Sequence, residues 1–190
     1  MMAVIGNYAL FFLKAIYLVL PGGFANMAPV FVKNHFRRLA VPVDFGYKLK
    51  GRPLFGKNKT YRGFIFAIAA SIVVSYAQYF LYSFDAFRKI SIIDYQAYAA
   101  FPLVFGFLVG FGVMLGDLVE SFFKRRLGIK PGELFFPFDQ IDSLIGGLLF
   151  AYLVVPIPLS YVILLLFLAP LLHLFANYIG FILGIKKNKF

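Results

Sequence analysis

Stretches of sequence long and apolar enough to cross a lipid bilayer recur along this chain, and no other feature limits its fold so tightly. The first runs over residues 3–32; Pro21, Gly22 and Gly23 interrupt it, so it is expected to cross with a break inside it. A second covers 63–81. A third covers 101–123, where an apolar run to about Leu118 continues as a helical pattern into charged residues. The fourth, 141–155, is closed by Pro156 and Pro158, and the fifth, 159–185, has Pro170 inside it. The expected fold is an all-α integral membrane protein of about five transmembrane helices, read as a single membrane-embedded domain over residues 1–190.

Composition agrees. Apolar residues make up 62% of the 190 positions, well above a soluble balance. Lys and Arg number 19 against 8 Asp and Glu; in so apolar a chain this excess points to anionic lipid and phosphate-bearing substrates and away from nucleic acid. The chain has no Cys, which excludes disulfides and thiolate metal sites and leaves oxygen or imidazole ligands, best suited to a hard cation such as Mg²⁺. The N-terminus lacks a basic leader region and Lys14 interrupts its apolar run, so the first span is expected to be retained.

Charge bias sets the expected orientation. Lys33, Arg37, Arg38, Lys48, Lys50, Arg52, Lys57, Lys59 and Arg62 follow the first span with Asp44 as the one acid among them. Lys124, Arg125, Arg126 and Lys130 follow the third, and Lys186, Lys187 and Lys189 lie in the tail. Positive-inside places these two basic loops and the C-terminus in the cytoplasm and the N-terminus outside. Tyr76, Tyr79, Tyr82, Tyr95 and Tyr98 then fall where an outer aromatic belt is expected. Gly106 and Gly110, with Gly112 and Gly116, keep the four-residue spacing that lets helix backbones approach closely. No internal repeat is evident, which speaks against a transporter built from duplicated halves.

Asp117, Glu120, Ser121 and Lys124 stand at i, i+3, i+4 and i+7, one polar stripe at the cytoplasmic end of an apolar span. That is either an interfacial helix end with internal Glu–Lys pairing or a functional site, since carboxylates within a span are expensive. Asp139 and Asp142, followed by Ser143, open the fourth span; they read as helix N-terminal caps, as ligands of a divalent ion shared with Asp117 and Glu120, or as both. The segment Gly56, Lys57, Asn58, Lys59, Thr60, Tyr61, Arg62 and Gly63 nearly matches a phosphate-binding loop, but Asn58 stands where Ser or Thr should hold Mg²⁺. It remains either a cationic phosphate-binding segment ahead of a helix N-terminus or a polybasic lipid-contacting loop. Asn26, after the Pro-Gly interruption, and the pair His173 and Asn177 are more often interhelical hydrogen-bonding groups than catalysts.

Together these residues resemble a known signature. Gly116, Asp117, Leu118, Ser121, Lys124, Arg125 and Lys130, then Asp139, Asp142 and Ser143, are similar to the motif of CTP-dependent phosphatidate cytidylyltransferases. With Lys59, Thr60 and the short chain, the resemblance is closest to the archaeal branch, the CDP-archaeol synthases. Where the bacterial and eukaryotic enzymes have an Asp after the Lys matching Lys130, Pro131 stands here; their His-Gly-Gly is also absent, since Phe138 leads straight to Asp139. The resemblance then leaves Asp117 or Glu120 to supply the missing carboxylate.

It implies a Mg²⁺-dependent nucleotidyltransferase joining CTP to an isoprenoid ether glycerol phosphate, 2,3-bis-O-(geranylgeranyl)-sn-glycerol 1-phosphate, with release of pyrophosphate. Asp117, Glu120, Asp139 and Asp142 are then the expected catalytic and metal-binding residues. Gly56, Asn58, Lys59, Thr60, Arg62, Ser121, Lys124, Arg125 and Lys130 are the expected phosphate and nucleotide partners, and Asn26 lies on the lipid side. A CTP-dependent polyprenol kinase, and a small cation transporter or channel, are the competing readings. The Asp-rich motif of CDP-alcohol phosphotransferases is not found.

Overall fold

The computed structural model describes residues 2–97, 101–130, 133, 135–182 and 184. Helix α1 covers Met2–Phe31, and a single 3₁₀ turn, Arg37–Leu39, opens the long connection that follows. Strands β1 (Lys48–Leu49) and β2 (Arg52–Pro53) form a small hairpin before α2, Tyr61–Leu81. A surface helix, α3 (Asp85–Ile90), leads to α4 (Phe101–Leu127), α5 (Phe138–Ala151) and α6 (Leu159–Ile182). Among the described residues, three segments are long and apolar enough to cross a membrane, Gly6–Phe31, Tyr61–Leu81 and Phe101–Leu127, and Leu159–Leu172 is a shorter apolar stretch. Large apolar side chains such as Val73, Phe80, Leu159 and Phe167 point outward, as hydrocarbon requires.

The expected interruption of the first span at Pro21 is absent, because α1 runs on through Pro21 and Pro29. Proline has no N–H, so the carbonyl of Tyr17, four residues earlier, loses its helical donor. Gln78 of α2, itself buried, replaces that donor, with Nε2 2.6 Å from the Tyr17 oxygen. The same amide accepts from Tyr95 Oη at 2.5 Å, which ties the α3–α4 connection to the bundle. Tyr95 is therefore fully buried against Phe101 and Phe105 and is not part of an outer aromatic belt. Tyr98 lies outside the described residues, as do the side chains of His173 and Asn177 and the basic tail.

Helix α4 is the hub, and its glycines decide which neighbours come closest. On one edge, a Cβ at Gly106 or Gly110 would stand 2.6 Å or 2.8 Å from the Cα of Ile72 or Ile68 in α2, where Ser71 and Ser75 supply the matching small surface. On another edge, a Cβ at Gly112 or Gly116 would collide with the backbone carbonyls of Gly146 and Asp142 in α5. The missing side chains let α4 and α5 touch backbone to backbone. That contact carries Asp142 alongside Asp117.

The fourth expected span begins earlier than read, at Phe138, with Pro137 at the N-cap. Asp139 is thus in the first turn and not the cap, and its carboxylate accepts the Phe135 N–H at 2.9 Å. With 14 residues, α5 rises about 21 Å, less than the hydrocarbon thickness.

Candidate active site

The connection between α1 and α2 is ordered by one carboxylate. Asp44 is buried and accepts the N–H groups of Gly46 (2.9 Å), Phe55 (2.9 Å) and Gly56 (3.1 Å). Burial opposes its charge, but the amides of Phe55, Gly56 and Gly46 outweigh it and hold its carboxyl below the usual range. Val43 N–H bonds Lys59 O at 2.8 Å and Tyr61 N–H bonds Val41 O at 3.0 Å, closing the loop at the start of α2. The hairpin turn, Lys50 and Gly51 at φ 51° and 77°, has the two positive angles of a type I′ turn.

Two arginines dock this hairpin on the end of α4. Arg126 donates to the carbonyls of Leu49 (2.9 Å), Arg52 and Pro53, while Arg52 donates to the Arg126 carbonyl at 2.5 Å. The helix C-terminus favours a cation there, and Gly128, at φ 83°, lets Ile129 N–H return to Lys124 O at 3.0 Å in a Schellman turn.

Lys59 is thereby delivered to α4, its Nζ 2.5 Å from Asp117 Oδ1. Lys124 Nζ lies 3.1 Å from Glu120 Oε1 and 2.8 Å from Asp139 Oδ1, bridging α4 and α5. Oxygens of Asp117, Glu120 and Asp142 all come within 4.8 Å of one another, a spacing that suits a hard divalent cation. Glu120 Oε1 is buried, and the Lys124 ammonium at 3.1 Å is its charge partner without meeting hydrogen-bond geometry, so the donor set toward a cation is three carboxylates with two lysines beside them. Asp139, the fourth expected ligand, stands outside this trio and is held by Lys124 and the Phe135 amide.

The carboxylates separate two unlike cavities. A cavity of about 660 Å³ is walled mainly by α1, α4, α5 and α6, with apolar residues such as Leu18, Val109, Val113 and Leu148. Asp139, Gln140, Asp142 and Ser143 mark one end of it, and Asn26 lines it from α1. A smaller cavity of about 110 Å³ is lined by Phe55, Gly56, Lys57, Asn58, Lys59, Glu120, Ser121, Lys124 and Arg125. Arg125 is only 8% exposed there, its Nε has no hydrogen-bond partner, and no acid lies within ion-pair distance among the described residues. A buried cation without a counter-charge is costly unless an anion comes to it.

Not every expected phosphate partner joins this cavity. Thr60 is the N-cap of α2, its hydroxyl accepting from Gly63 N at 3.3 Å. Arg62 donates to His35 O at 2.8 Å, and Lys130 is exposed with its N–H bonded to Glu133; neither lines the apolar or the cationic cavity. The Gly56 amide, read as a phosphate donor, is already given to Asp44. Asp44 and Gln140 are not among the expected site residues. Asp44 carried one signal, being the single acid in a strongly basic connection; Gln140, buried with an unpartnered Oε1, carried none.

The profile of a family described as CarS-like CDP-archaeol synthase matches residues 8–190. A CDP-archaeol synthase of Pyrococcus horikoshii is 35% identical over 176 residues, covering 92% of this chain and 95% of that one. One of Methanocaldococcus jannaschii is 34% identical over 180 residues, covering 94% and 97%. A solved structure described as an intramembrane enzyme for archaeal membrane lipids biosynthesis superposes with a TM-score of 0.69 at 28% identity, over 86% of this chain and 92% of that one.

Proposed function

We propose, because the chain belongs to the CDP-archaeol synthase family, that it joins CTP to an isoprenoid ether glycerol phosphate, giving the CDP-activated lipid and pyrophosphate. It is a membrane-embedded nucleotidyltransferase of archaeal-type lipid synthesis. The observation that carries the reading is the position of the carboxylates between an apolar cavity and a cationic one: Asp142 lines the first, Glu120 the second, and their oxygens are within 4.8 Å. A reaction between a lipid headgroup and a water-soluble nucleotide needs such a junction. An ion pathway does not need its acids divided between an oily chamber and a phosphate-like one.

In this reading isoprenoid chains of the geranylgeranyl type occupy the large cavity, with Asn26 beside them, and bring the phosphate to Asp142 and Ser143. The triphosphate lies in the cationic cavity, where Arg125 supplies the unspent charge and Lys124 and Lys59, already fixed by Glu120, Asp139 and Asp117, complete the cradle. A lipid phosphate oxygen attacks the α-phosphorus of CTP; the bond from that phosphorus to the bridging oxygen breaks, and pyrophosphate leaves. The attacking phosphate is largely ionised, its second pKa being about 6, so no side chain has to remove a proton. Asp117, Glu120 and Asp142 are the residues that would hold Mg²⁺, whose chemistry when bound is to neutralise charge building on the phosphates. Asp139 positions Lys124 in this scheme.

The protein is multi-pass, with five crossings, α5 the shortest, and the site faces the cytoplasm at the basic ends of α1, α2 and α4. The charge bias of the connections supports that orientation. Pyrophosphate release by purified protein with Mg²⁺, CTP and ether lipid phosphate tests the reaction, with diacylglycerol phosphate and no-lipid controls. Release that needs both CTP and the ether lipid is expected. Release of CDP in place of pyrophosphate, or no release from folded protein, overturns it.

A further inference from the structure

The connection between α1 and α2 carries a second surface, apart from the loop that reaches the carboxylates. Phe36 and Phe45 are 58% and 75% exposed. Both hold left-handed backbone angles, φ 50° and 48°, which bulky residues avoid. Each ring is nevertheless fixed in place, Phe36 on Phe66 with centroids 4.6 Å apart and Phe45 on Tyr61 at 5.6 Å. Phe66 lies five residues beyond Tyr61, about 7.5 Å further along α2. The two contacts flank the outward stripe of Ile65, Val73 and Phe80, the side that α2 turns to hydrocarbon. The loop therefore lays its aromatic rings over the lipid-facing entrance of a membrane helix, one of them more than a turn in from its start.

Cations accompany both rings. Arg37 and Arg38 follow Phe36, and Lys48 and Lys50 follow Phe45; all are exposed, and none forms an ion pair among the described residues. Rings at the depth of the headgroup–acyl boundary beside unpaired cations are complementary to one partner, a leaflet with negatively charged headgroups. A soluble acidic partner would account for the cations and leave the rings beside the hydrocarbon face unexplained. We propose that this surface binds anionic phospholipid headgroups of the surrounding leaflet, with Phe36 and Phe45 inserted and Arg37, Arg38, Lys48 and Lys50 on the phosphates. The assignment does not depend on the reaction proposed above. It would enrich anionic lipid around the molecule whichever lipid is the substrate.

The chain has no Trp, so Phe45→Trp provides a unique indole reporter, and Phe36→Trp a second should the first fail to fold. Each is reconstituted as the full chain in neutral vesicles containing equal minor fractions of either a brominated anionic or a brominated neutral phospholipid. Quenching by the anionic lipid is expected to exceed that by the neutral one about threefold. High salt, or the combined Arg37→Gln, Arg38→Gln, Lys48→Gln and Lys50→Gln substitutions, should abolish the preference, with helix content and elution volume showing the variant folded. Equal quenching by the two lipids overturns the proposal, because the rings then sit in the membrane without selecting headgroup charge. No quenching by either also overturns it and turns the surface toward a water-soluble acidic partner.

Discussion

Among single residues, what distinguishes the acids of this site is the company each keeps. Asp142 shares the trio with Asp117 and Glu120 and faces the apolar cavity, and among the described residues it has no lysine within ion-pair distance. Asp142→Asn keeps the side-chain shape and removes the charge, so turnover should fall about a hundredfold or more with the thermal midpoint in detergent nearly unchanged. Asp44 is different: it holds the Phe55 and Gly56 amides and so the wall of the cationic cavity. Asp44→Asn replaces one acceptor oxygen by a donor and should raise KM for CTP about tenfold while changing kcat less. Because its carboxyl is held below the ordinary range when folded, its contribution is complete at neutral pH and is lost as pH falls through that lowered value, below about pH 4. The stripe of Asp117, Glu120, Ser121 and Lys124 could be read from helical spacing, since one element carries it. Arg62 and Lys130 lie away from both cavities, since charge counting does not reveal direction, and Thr60 serves as a helix cap, a place that calls for the same residue type as a phosphate ligand.

For elements, length and apolarity were visible in the sequence, and the observed helices begin and end within a few residues of most expected spans. The exception is the proline in α1. A missing N–H predicts a break only if nothing replaces it, and the replacement, Gln78, lies 61 residues away in sequence. Gln78→Leu should cost about 1–3 kcal/mol of stability in detergent, because the Tyr17 carbonyl is left unpaired. In a Pro21→Ala background, where the helix regains its own donor, the same substitution should cost less; equal costs in a double-mutant cycle would refute the exchange. Glycine spacing likewise announced close packing but not its partners. Gly116→Ala would push a methyl into the Asp142 carbonyl. It should lower stability by about 1–3 kcal/mol and lower turnover as well, since α5 has to move away and takes Asp142 with it. An Ala at Gly6, which lines neither cavity and where a Cβ would have nothing within 4 Å, should be silent in both measurements.

The assembled molecule places a hub helix between two partners, with the α1–α2 connection folded back onto its end. Hydropathy shows the class of fold and charge bias an expected orientation; neither reveals the hairpin or α3, which are short and owe their form to contacts with the bundle. Single cysteines introduced into this Cys-free chain at Lys50 and at Ser83 test the orientation. In sealed cells an impermeant maleimide should label the position at 83 and spare the one at 50, which becomes reactive only after lysis. Reversal of that pattern would invert the topology without altering the site. The Pro21–Gln78 exchange also has a consequence for biogenesis. Until α2 has been synthesised, α1 carries a carbonyl that no group in its own sequence can satisfy, and hydrocarbon penalises such a group by several kcal/mol. The first helix is chemically complete only as half of a pair, so the two should leave the insertion machinery for the bilayer together, as a helical hairpin.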